Sequence, residues 1–249
     1  MSMNTDPILI EKHDRVAIMT LNSPPVNALS AAMYQQISAG LTAIAQDESV
    51  HVMILTGAGE KAFCAGADTR ELAKLDGATR IERYKLVQSV FAQYSEMAIP
   101  TVCAVNGPAP GGGSVLASLS DYRVASDRGT FSYPEIDRGT VGGGGVFLRR
   151  AGVAPGVMRE LLYSGRTIPA EEARELHLVD IVVPHAQLME RAMEIAQRWA
   201  AKDRQALMHM KQAILMVERE PDWLKAYEAT HVISAKMTAA RAARAAQDK

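Results

Sequence analysis

Short apolar runs alternate with longer segments of mixed polarity over most of the chain. Runs such as Val16–Leu21 and Thr101–Val105 are rich in branched residues and have the length of strands. Between them, Ser30 is a predicted N-cap for a helix to about Ala45, because apolar residues recur behind it at helical spacing. The apolar positions of that helix are Met33, Ile37, Leu41 and Ile44.

The same criteria place the other elements of the chain. Strands are predicted at Ile8–Lys12, Val16–Leu21, Val50–Leu55, Thr101–Val105, Tyr122–Ala125 and Ile181–Val183. Further helices are predicted at Thr79–Met97, from the Gly111–Gly113 turn onward, and at Ala154–Tyr163, Pro169–Glu175, His185–Ala200, Arg204–Val217 and Pro221–Ala245. Recurring strands and helices predict an α/β fold with mostly parallel pairing, followed by a mainly helical C-terminal part.

Composition narrows the classes of protein that fit this pattern. The chain has 249 residues, of which 48% are hydrophobic and 22% charged, so it can bury a substantial core. The net charge is -1, and no basic stripe interleaved with aromatic residues suggests a nucleic-acid partner. No apolar run reaches the roughly 18 residues that a membrane span needs. Two cysteines, Cys64 and Cys103, make no disulfide framework, so a reducing, cytoplasmic compartment is expected.

Two glycine-rich turns carry the candidate chemistry. The first is Ala62–Asp68 and the second is Asn106–Val115, which contains three consecutive glycines. Glycine lets backbone approach a ligand closely, and the first N–H groups of a helix have no intrahelical partner. Two such N–H groups can stabilise an oxygen that gains negative charge during a reaction. Either turn alone is equally consistent with a plain tight turn.

Together with Glu135, which follows Tyr133 and Pro134, the two turns resemble the core of the crotonase (enoyl-CoA hydratase/isomerase) superfamily. The resemblance extends over about 16–183, and Pro25–Leu29 resembles the strand-to-helix junction that borders the coenzyme A site. It implies a spiral of strand-strand-helix units with a helical C-terminal trimerisation region. On this basis, residues 1–195 are expected to form the core and residues 196–249 the helical region.

The resemblance also implies site residues. The backbone N–H groups of Ala67 and Gly112 would form an oxyanion hole, and Glu135 would be the catalytic acid and base. Pro134, Ile136 and Val141 are expected to form an apolar wall beside that glutamate. The substrate would be contacted at Asn27, Ala28, Ala65, Gly66, Asp68, Gly111, Val115 and Gly142.

The residue type at position 115 distinguishes between the reactions that the resemblance allows. The hydratases of the superfamily carry a second catalytic glutamate at the matching position, whereas its monofunctional enoyl-CoA isomerases pair an apolar residue there with one glutamate. The resemblance therefore favours double-bond isomerisation of an enoyl-CoA. Hydration by one glutamate, a decarboxylase or C–C lyase, and a non-catalytic acyl-CoA-binding protein remain alternatives. The family's acyl-CoA hydrolases carry an aspartate near Gly142, where this chain has only glycines.

Other interpretations of the same residues are weaker. Gly57–Ala62 matches a GxGxxA dinucleotide fingerprint, but another turn follows it in place of the long helix that would bind a pyrophosphate. Ser114 as a nucleophile would need a histidine, and none is placed for it. Cys64 is more typical of a packing residue than of a reactive thiol. Asp68 precedes Thr69–Leu72 and is a predicted N-cap.

Partner expectations follow from the resemblance. The chain is expected to bind an acyl-CoA thioester and to form a homotrimer or a dimer of trimers. No cofactor is expected apart from the coenzyme A of the substrate, and no metal, because no HxxxH or HxxE pair occurs. Tyr227–Lys249 lacks the aromatic and basic stretch with which many members contact a neighbouring subunit's coenzyme A; Lys236 and Arg241 are the basic residues that remain for that role.

Overall fold

The computed structural model describes residues 6–247, with side chains up to residue 239. The strands are β1 (Ile8–His13), β2 (Val16–Leu21), β3 (Val52–Gly57), β4 (Thr101–Val105), β5 (Pro108–Pro110), β6 (Tyr122–Ser126), β7 (Thr130–Ser132), β8 (Ile168–Pro169) and β9 (Ile181–Val183). The helices are α1 (Ala31–Gln46), α2 (Thr69–Leu72), α3 (Gly77–Ser95), α4 (Gly112–Ser118), α5 (Gly144–Arg150), α6 (Pro155–Ser164), α7 (Ala170–Glu175), α8 (Leu188–Ala200), α9 (Arg204–Arg219) and α10 (Trp223–Gln247). Short 3-10 turns occupy Ile136–Arg138 and His185–Gln187.

Two sheets organise the described residues. The larger has the order β1-β2-β3-β4-β6-β9, in which β1 and β2 are antiparallel and all other neighbours are parallel. The smaller has the order β5-β7-β8, with β5 and β7 parallel and β7 and β8 antiparallel. The predicted α/β fold with mostly parallel pairing is confirmed.

The larger sheet is covered on both faces, as a parallel sheet requires. Side chains at alternate positions face opposite sides. On β3, Ile54 packs in the layer that α8 covers, whereas Met53 and Leu55 pack with α1 and the small sheet. The predicted apolar positions of α1 are all buried, and Ser30 caps this helix by accepting a hydrogen bond from the Met33 amide.

The C-terminal helices attach to this core through an ion pair whose lysine is buried. Lys211 of α9 is only 5% exposed, and its Nζ donates to Asp121 Oδ2 at 2.7 Å and to the Ile99 carbonyl at 3.1 Å. Helix α10 packs along α9. The boundary expected between residues 195 and 196 falls inside α8, and the division into two regions stays a prediction. No helix within residues 6–247 is both long and apolar enough to cross a membrane.

Several predicted bounds were wrong, for local reasons. Strand β3 begins two residues later than predicted. Helix α3 begins at Gly77 because Asp76 and Thr79 form a reciprocal capping box ahead of it. The predicted helix from His185 begins as a 3-10 turn. Strands β5, β7 and β8 and helix α5 were not predicted, because two or three residues show no periodicity and α5 opens with glycines.

Candidate active site

The first glycine-rich turn presents the Ala67 amide through its pairing with Leu29. The Leu29 amide donates to the Gly66 carbonyl at 2.8 Å, and the Asp68 amide donates to the Leu29 carbonyl at 3.2 Å. Successive amides of an extended segment point to opposite sides, so the amide of Ala67 faces away from Leu29. Ala67 lines a cavity on that side.

The second turn presents the Gly112 amide at the start of α4. The Gly111 amide donates to the Ser132 carbonyl at 2.8 Å, and Gly111 has a φ of 53°. The hydroxyl of Ser114 is buried and donates to the Ala109 carbonyl, which ties α4 to the small sheet. Because Gly112 is the first residue of α4, its N–H has no intrahelical acceptor.

The two turns are in direct contact. A Cβ added to Gly66 would lie 2.6 Å from the Pro110 carbonyl oxygen and 3.0 Å from the Gly112 nitrogen. Ala67 and Gly112 line the same cavity, and within the described part of the chain neither amide donates a hydrogen bond. Two unpartnered N–H groups at one wall of a cavity are the arrangement that an oxyanion needs.

Glu135 lies beside these amides. Its backbone is fixed because its carbonyl accepts hydrogen bonds from the Arg138 and Thr140 amides, at 3.1 and 3.0 Å. A Cβ added to Gly111 would lie 3.2 Å from Glu135 Oε1, and one added to Gly142 would lie 2.6 Å from Glu135 Cδ. The half-buried carboxyl group therefore packs against two glycines, one of them adjacent in sequence to Gly112.

The expected apolar wall beside Glu135 was wrong for two of its three residues. Ile136 is 48% exposed and Val141 is 99% exposed, so neither shields the carboxyl group in the described chain. A 3-10 turn over Ile136–Arg138 follows Glu135 directly. Pro134 is half-buried and lines the cavity next to Glu135.

Val115 completes the site from α4. It is 5% exposed and lines a cavity of about 700 Å³ together with Ala67, Gly112 and Glu135. Ala67, Gly112 and Glu135 also line a second cavity of about 360 Å³. Glu135 is the one carboxylate among the described residues that line either cavity. The site thus combines two backbone donors, one carboxylate and an apolar side chain.

The larger cavity has an aromatic wall that the sequence interpretation missed. Tyr34, Phe91 and Phe147 follow one another, with ring centroids 5.7 and 6.5 Å apart. The guanidinium carbon of Arg83 lies 4.4 Å from the centroid of the Tyr34 ring. Burial raises the pKa of Tyr34, so its hydroxyl stays protonated. The available signal was Arg83 itself, a charged residue on the stripe of α3 that also carries the buried Val90 and Tyr94.

Asn27 has a supporting position. Its side chain is 1% exposed and donates to the carbonyls of Ala58, Ala62 and Phe63, at 3.0 to 3.1 Å. The side chain therefore binds neighbouring backbone and is not free for a ligand. By holding the junction against the loop after β3, it fixes the segment in which Leu29 bridges to Ala67.

The other predicted contacts lie close by. Ala28 is half-buried next to Leu29. Ala65 lines the smaller cavity, and its amide donates to the Val26 carbonyl at 2.9 Å. Asp68 caps α2 as predicted, accepting from the Arg70 and Glu71 amides. Its hydrogen bond with the Arg70 side chain is the main reason that the pKa of this carboxyl is lowered.

The alternative chemistries find little support in the structure. Cys64 is fully buried, and this burial raises the pKa of its thiol to about 12, so it packs as a neutral group. Ser114 Oγ is bonded to backbone, as described above. Within the described residues, no three His, Cys, Asp or Glu side chains are grouped to hold a metal ion. The side chain of Arg241 lies outside the described residues.

Known proteins share this architecture. The model of the family described as enoyl-CoA hydratase/isomerase matches residues 11–243. A putative enoyl-CoA hydratase/isomerase of Bacillus subtilis, YngF, is 36% identical over 205 residues, which cover 82% of this chain and 79% of the relative. The crotonyl-CoA hydratase of Syntrophomonas wolfei is 36% identical over 213 residues, covering 85% and 82%.

Solved structures agree with the family match. An enoyl-CoA hydratase subunit from Geobacillus kaustophilus superposes with a TM-score of 0.87 at 34% identity, covering 94% of this chain and 90% of that one. An enoyl-CoA hydratase from Bacillus anthracis superposes with a TM-score of 0.87 at 31% identity, with the same coverage. The crotonase fold expected from the two turns is therefore confirmed, and the chain belongs to the enoyl-CoA hydratase/isomerase family as an enzyme of the crotonase superfamily.

Proposed function

We propose that this enzyme moves the double bond of an enoyl-CoA thioester, with Glu135 as the group that carries the proton. The observation that supports this reaction is the composition of the site: one carboxylate faces the cavity, and Val115 occupies the position from which a second could act. Isomerisation needs one proton removed and one returned, which a single carboxylate can do.

The steps follow from the positions of these groups. The thioester carbonyl oxygen accepts hydrogen bonds from the amides of Ala67 and Gly112. The ionised Glu135 takes a proton from C2 of a 3-enoyl thioester, and the electron pair moves to the carbonyl oxygen as an enolate. Glu135 then returns the proton to C4, the thioester carbonyl forms again, and the double bond lies between C2 and C3. Each backbone donor contributes about 3–4 kcal/mol in sites of this kind.

Hydration of a 2-enoyl-CoA is the second candidate, favoured by the names of the relatives. A crotonyl-CoA hydratase and several enoyl-CoA hydratases are among the proteins similar to this chain. Hydration would require Glu135 alone to activate water for attack at C3, with a proton delivered to C2. Val115 can neither orient nor deprotonate that water.

A side-by-side assay separates the two reactions. We expect faster turnover of a 3-enoyl-CoA to its 2-enoyl isomer than of a 2-enoyl-CoA to the 3-hydroxy product. Glu135→Gln should lower kcat by roughly 10²–10⁴-fold while leaving the binding of a saturated acyl-CoA unchanged. Glu82→Gln, on an exposed position of α3, is the matched control and should leave kcat unchanged. Faster hydration than isomerisation by the native enzyme would contradict the isomerase proposal.

Self-association into a trimer or a dimer of trimers is proposed from the exposed apolar side chains of α9 and α10. On α10, Trp223 is 75% exposed and Tyr227 is 57% exposed; on α9, Met210 is 63% exposed. Large apolar side chains that are exposed on two neighbouring helices favour burial against another subunit. Sedimentation equilibrium should give a multiple of three subunits, and Trp223→Glu should shift it to smaller species. A monomeric native protein would contradict the proposal.

A reducing, cytoplasmic location is proposed because Cys64 and Cys103 are both buried, free thiols. The proton transfers described above require no cofactor other than the coenzyme A portion of the substrate. Detection of the native protein in a secreted fraction would contradict the proposed location.

A further inference from the structure

Phe91 and Phe147 are the part of the aromatic wall that a ligand in the larger cavity can touch. Both side chains pack against the core, remain half-buried and line that cavity. Tyr34 is only 2% exposed, so its ring packs against Phe91 and offers little surface of its own. Two of the four phenylalanines in the chain thus border one cavity, although aromatic residues make up only 5% of the sequence.

The two phenylalanine rings form a corner. Phe91 comes from α3 and Phe147 from α5, and their ring centroids lie 6.5 Å apart with the ring planes at 89°. Aromatic rings prefer offset-stacked or edge-to-face contacts with one another. Because the two planes are perpendicular, a third ring that stacks on one phenylalanine meets the other edge to face. An alkyl chain in the same place buries apolar area but forms neither contact.

The rest of the lining favours an apolar acyl group. Val115 and Leu119 lie one turn apart at α4 and are 5% and 7% exposed. Each of the three arginines in the lining already binds or lies beside an acceptor: Arg83 beside Glu71, Arg150 with Glu218, and Arg80 with the Leu72 carbonyl. The cavity of about 700 Å³ is in the size range of pockets that bury drug-sized ligands. The lining therefore has room for a ring, and its arginines give no reason to expect an acidic acyl group.

We propose that the acyl group of the substrate carries an aromatic ring beyond the thioester, and that Phe91 and Phe147 select this ring. The proposal rests on the proposed function in that the cavity receives the acyl portion of a coenzyme A thioester, since Ala67, Gly112 and Glu135 line it as well. It is independent of whether the double bond is moved or hydrated.

Thioesters without a chain double bond test the idea without any turnover. The dissociation constants of 3-phenylpropanoyl-CoA, 4-phenylbutanoyl-CoA and 5-phenylpentanoyl-CoA would each be compared with two partners. One partner carries a cyclohexyl ring on the same linker, and the other is the linear saturated thioester with the same number of carbons. At one of these linker lengths the native enzyme should bind the phenyl compound at least about fivefold more tightly than both partners, because only the phenyl ring forms aromatic pairs.

Phe91→Leu and Phe147→Leu should each reduce that preference to less than about twofold, because leucine keeps an apolar side chain but has no ring. Tyr163→Leu is the matched control, since Tyr163 is an aromatic residue of α6 that is 73% exposed, and it should leave the preference unchanged.

Native enzyme that binds the cyclohexyl or linear thioesters as tightly as the phenyl ones at every length would overturn this proposal and leave the proposed function standing. Phe91→Leu and Phe147→Leu variants that weaken all thioesters by the same factor would also overturn it, because residues that only support the core would have that effect. Failure of the native enzyme to bind any thioester would overturn the proposed function as well.

Discussion

Gly66 is the position where the smallest substitution should do the most damage to catalysis. It has a φ of 74°, and an alanine Cβ there would lie 2.6 Å from the Pro110 carbonyl oxygen. Ordinary carbon–oxygen contacts are about 3.3 Å or longer, so the two turns must separate by about 0.7 Å. A hydrogen bond of about 2.9 Å from Gly112 to the thioester oxygen would then stretch to about 3.6 Å, which is no longer a hydrogen bond. Loss of one such donor costs about 3–4 kcal/mol, or roughly 10²–10³-fold in kcat.

The backbone strain of Gly66→Ala has to be separated from this displacement. Gly59 provides the control, because its φ is 75° but an added Cβ there would meet no atom within 4 Å. Both substitutions should destabilise the protein by about 1–2 kcal/mol through the left-handed backbone, which thermal unfolding measures. Only Gly66→Ala should lose kcat, measured with the enoyl-CoA that the native enzyme turns over. A folded Gly66→Ala variant whose kcat lies within about threefold of that of Gly59→Ala would refute the contact argument.

Further substitutions test the other features. Val115→Glu should raise the ratio of hydration to isomerisation at least about tenfold, whereas the non-ionising Val115→Gln should not; an unchanged ratio in the glutamate variant would contradict the role of this position. Lys211→Met should lower the free energy of unfolding by about 2 kcal/mol in urea titrations, because it removes the hydrogen bonds of a buried ammonium group to Asp121 and to the Ile99 carbonyl. Lys225→Met, which removes an exposed partner at 3.8 Å, should change the free energy of unfolding by less than about 1 kcal/mol. Cys64 should resist alkylation at about pH 8 until the protein is unfolded, because its thiol is buried. The free energy of unfolding should also fall as the pH rises from 9.0 to about 12, because in that range the Cys64 thiol ionises only in the unfolded protein. Rapid labelling of the folded protein would contradict this burial.

Hydrophobic periodicity predicted those strands and helices that are long enough to show a repeating pattern. The bounds of strand β2 and helix α1 were predicted almost to the residue. In β2 a run of branched residues indicates a strand, and in α1 four apolar residues at helical spacing indicate which face of the helix is buried. Strands β5 and β7, which hold the second turn and lead to Glu135, have three residues each and are fixed by tertiary contact. One of those contacts is the Gly111 amide with the Ser132 carbonyl, which no local pattern reveals.

The sequence indicated the parts of the candidate site that consist of backbone, and it did not indicate the side chains from distant elements that meet there. The glycines indicate the two turns in the sequence, and the position of Asp68 before α2 indicates that it is an N-cap. The resemblance places the backbone around Asn27 at the coenzyme A site, which stays a prediction, and the hydrogen bonds of the Asn27 side chain to three backbone carbonyls were not indicated by the sequence. Arg83 was overlooked because exposed arginines are common on helices, although its place on the buried stripe of α3 could have indicated that it faces the interior.

In the proposed site, backbone amides stabilise the oxyanion and side chains transfer the proton, and this separation explains how one fold can support several reactions. The two proposed oxyanion donors are backbone amides, so a side-chain replacement at Ala67 or Gly112 should not remove them directly, whereas displacement of a turn should. In the proposed mechanism, the reaction is therefore selected by the side chains that line the cavity beside these amides. Here these are Glu135, which the absence of a Cβ at Gly142 leaves room for, and Val115, which contributes no proton. A carboxylate introduced at position 115 should allow water to be activated without altering the proposed oxyanion hole, and that is why this position should shift the type of reaction more than its overall rate.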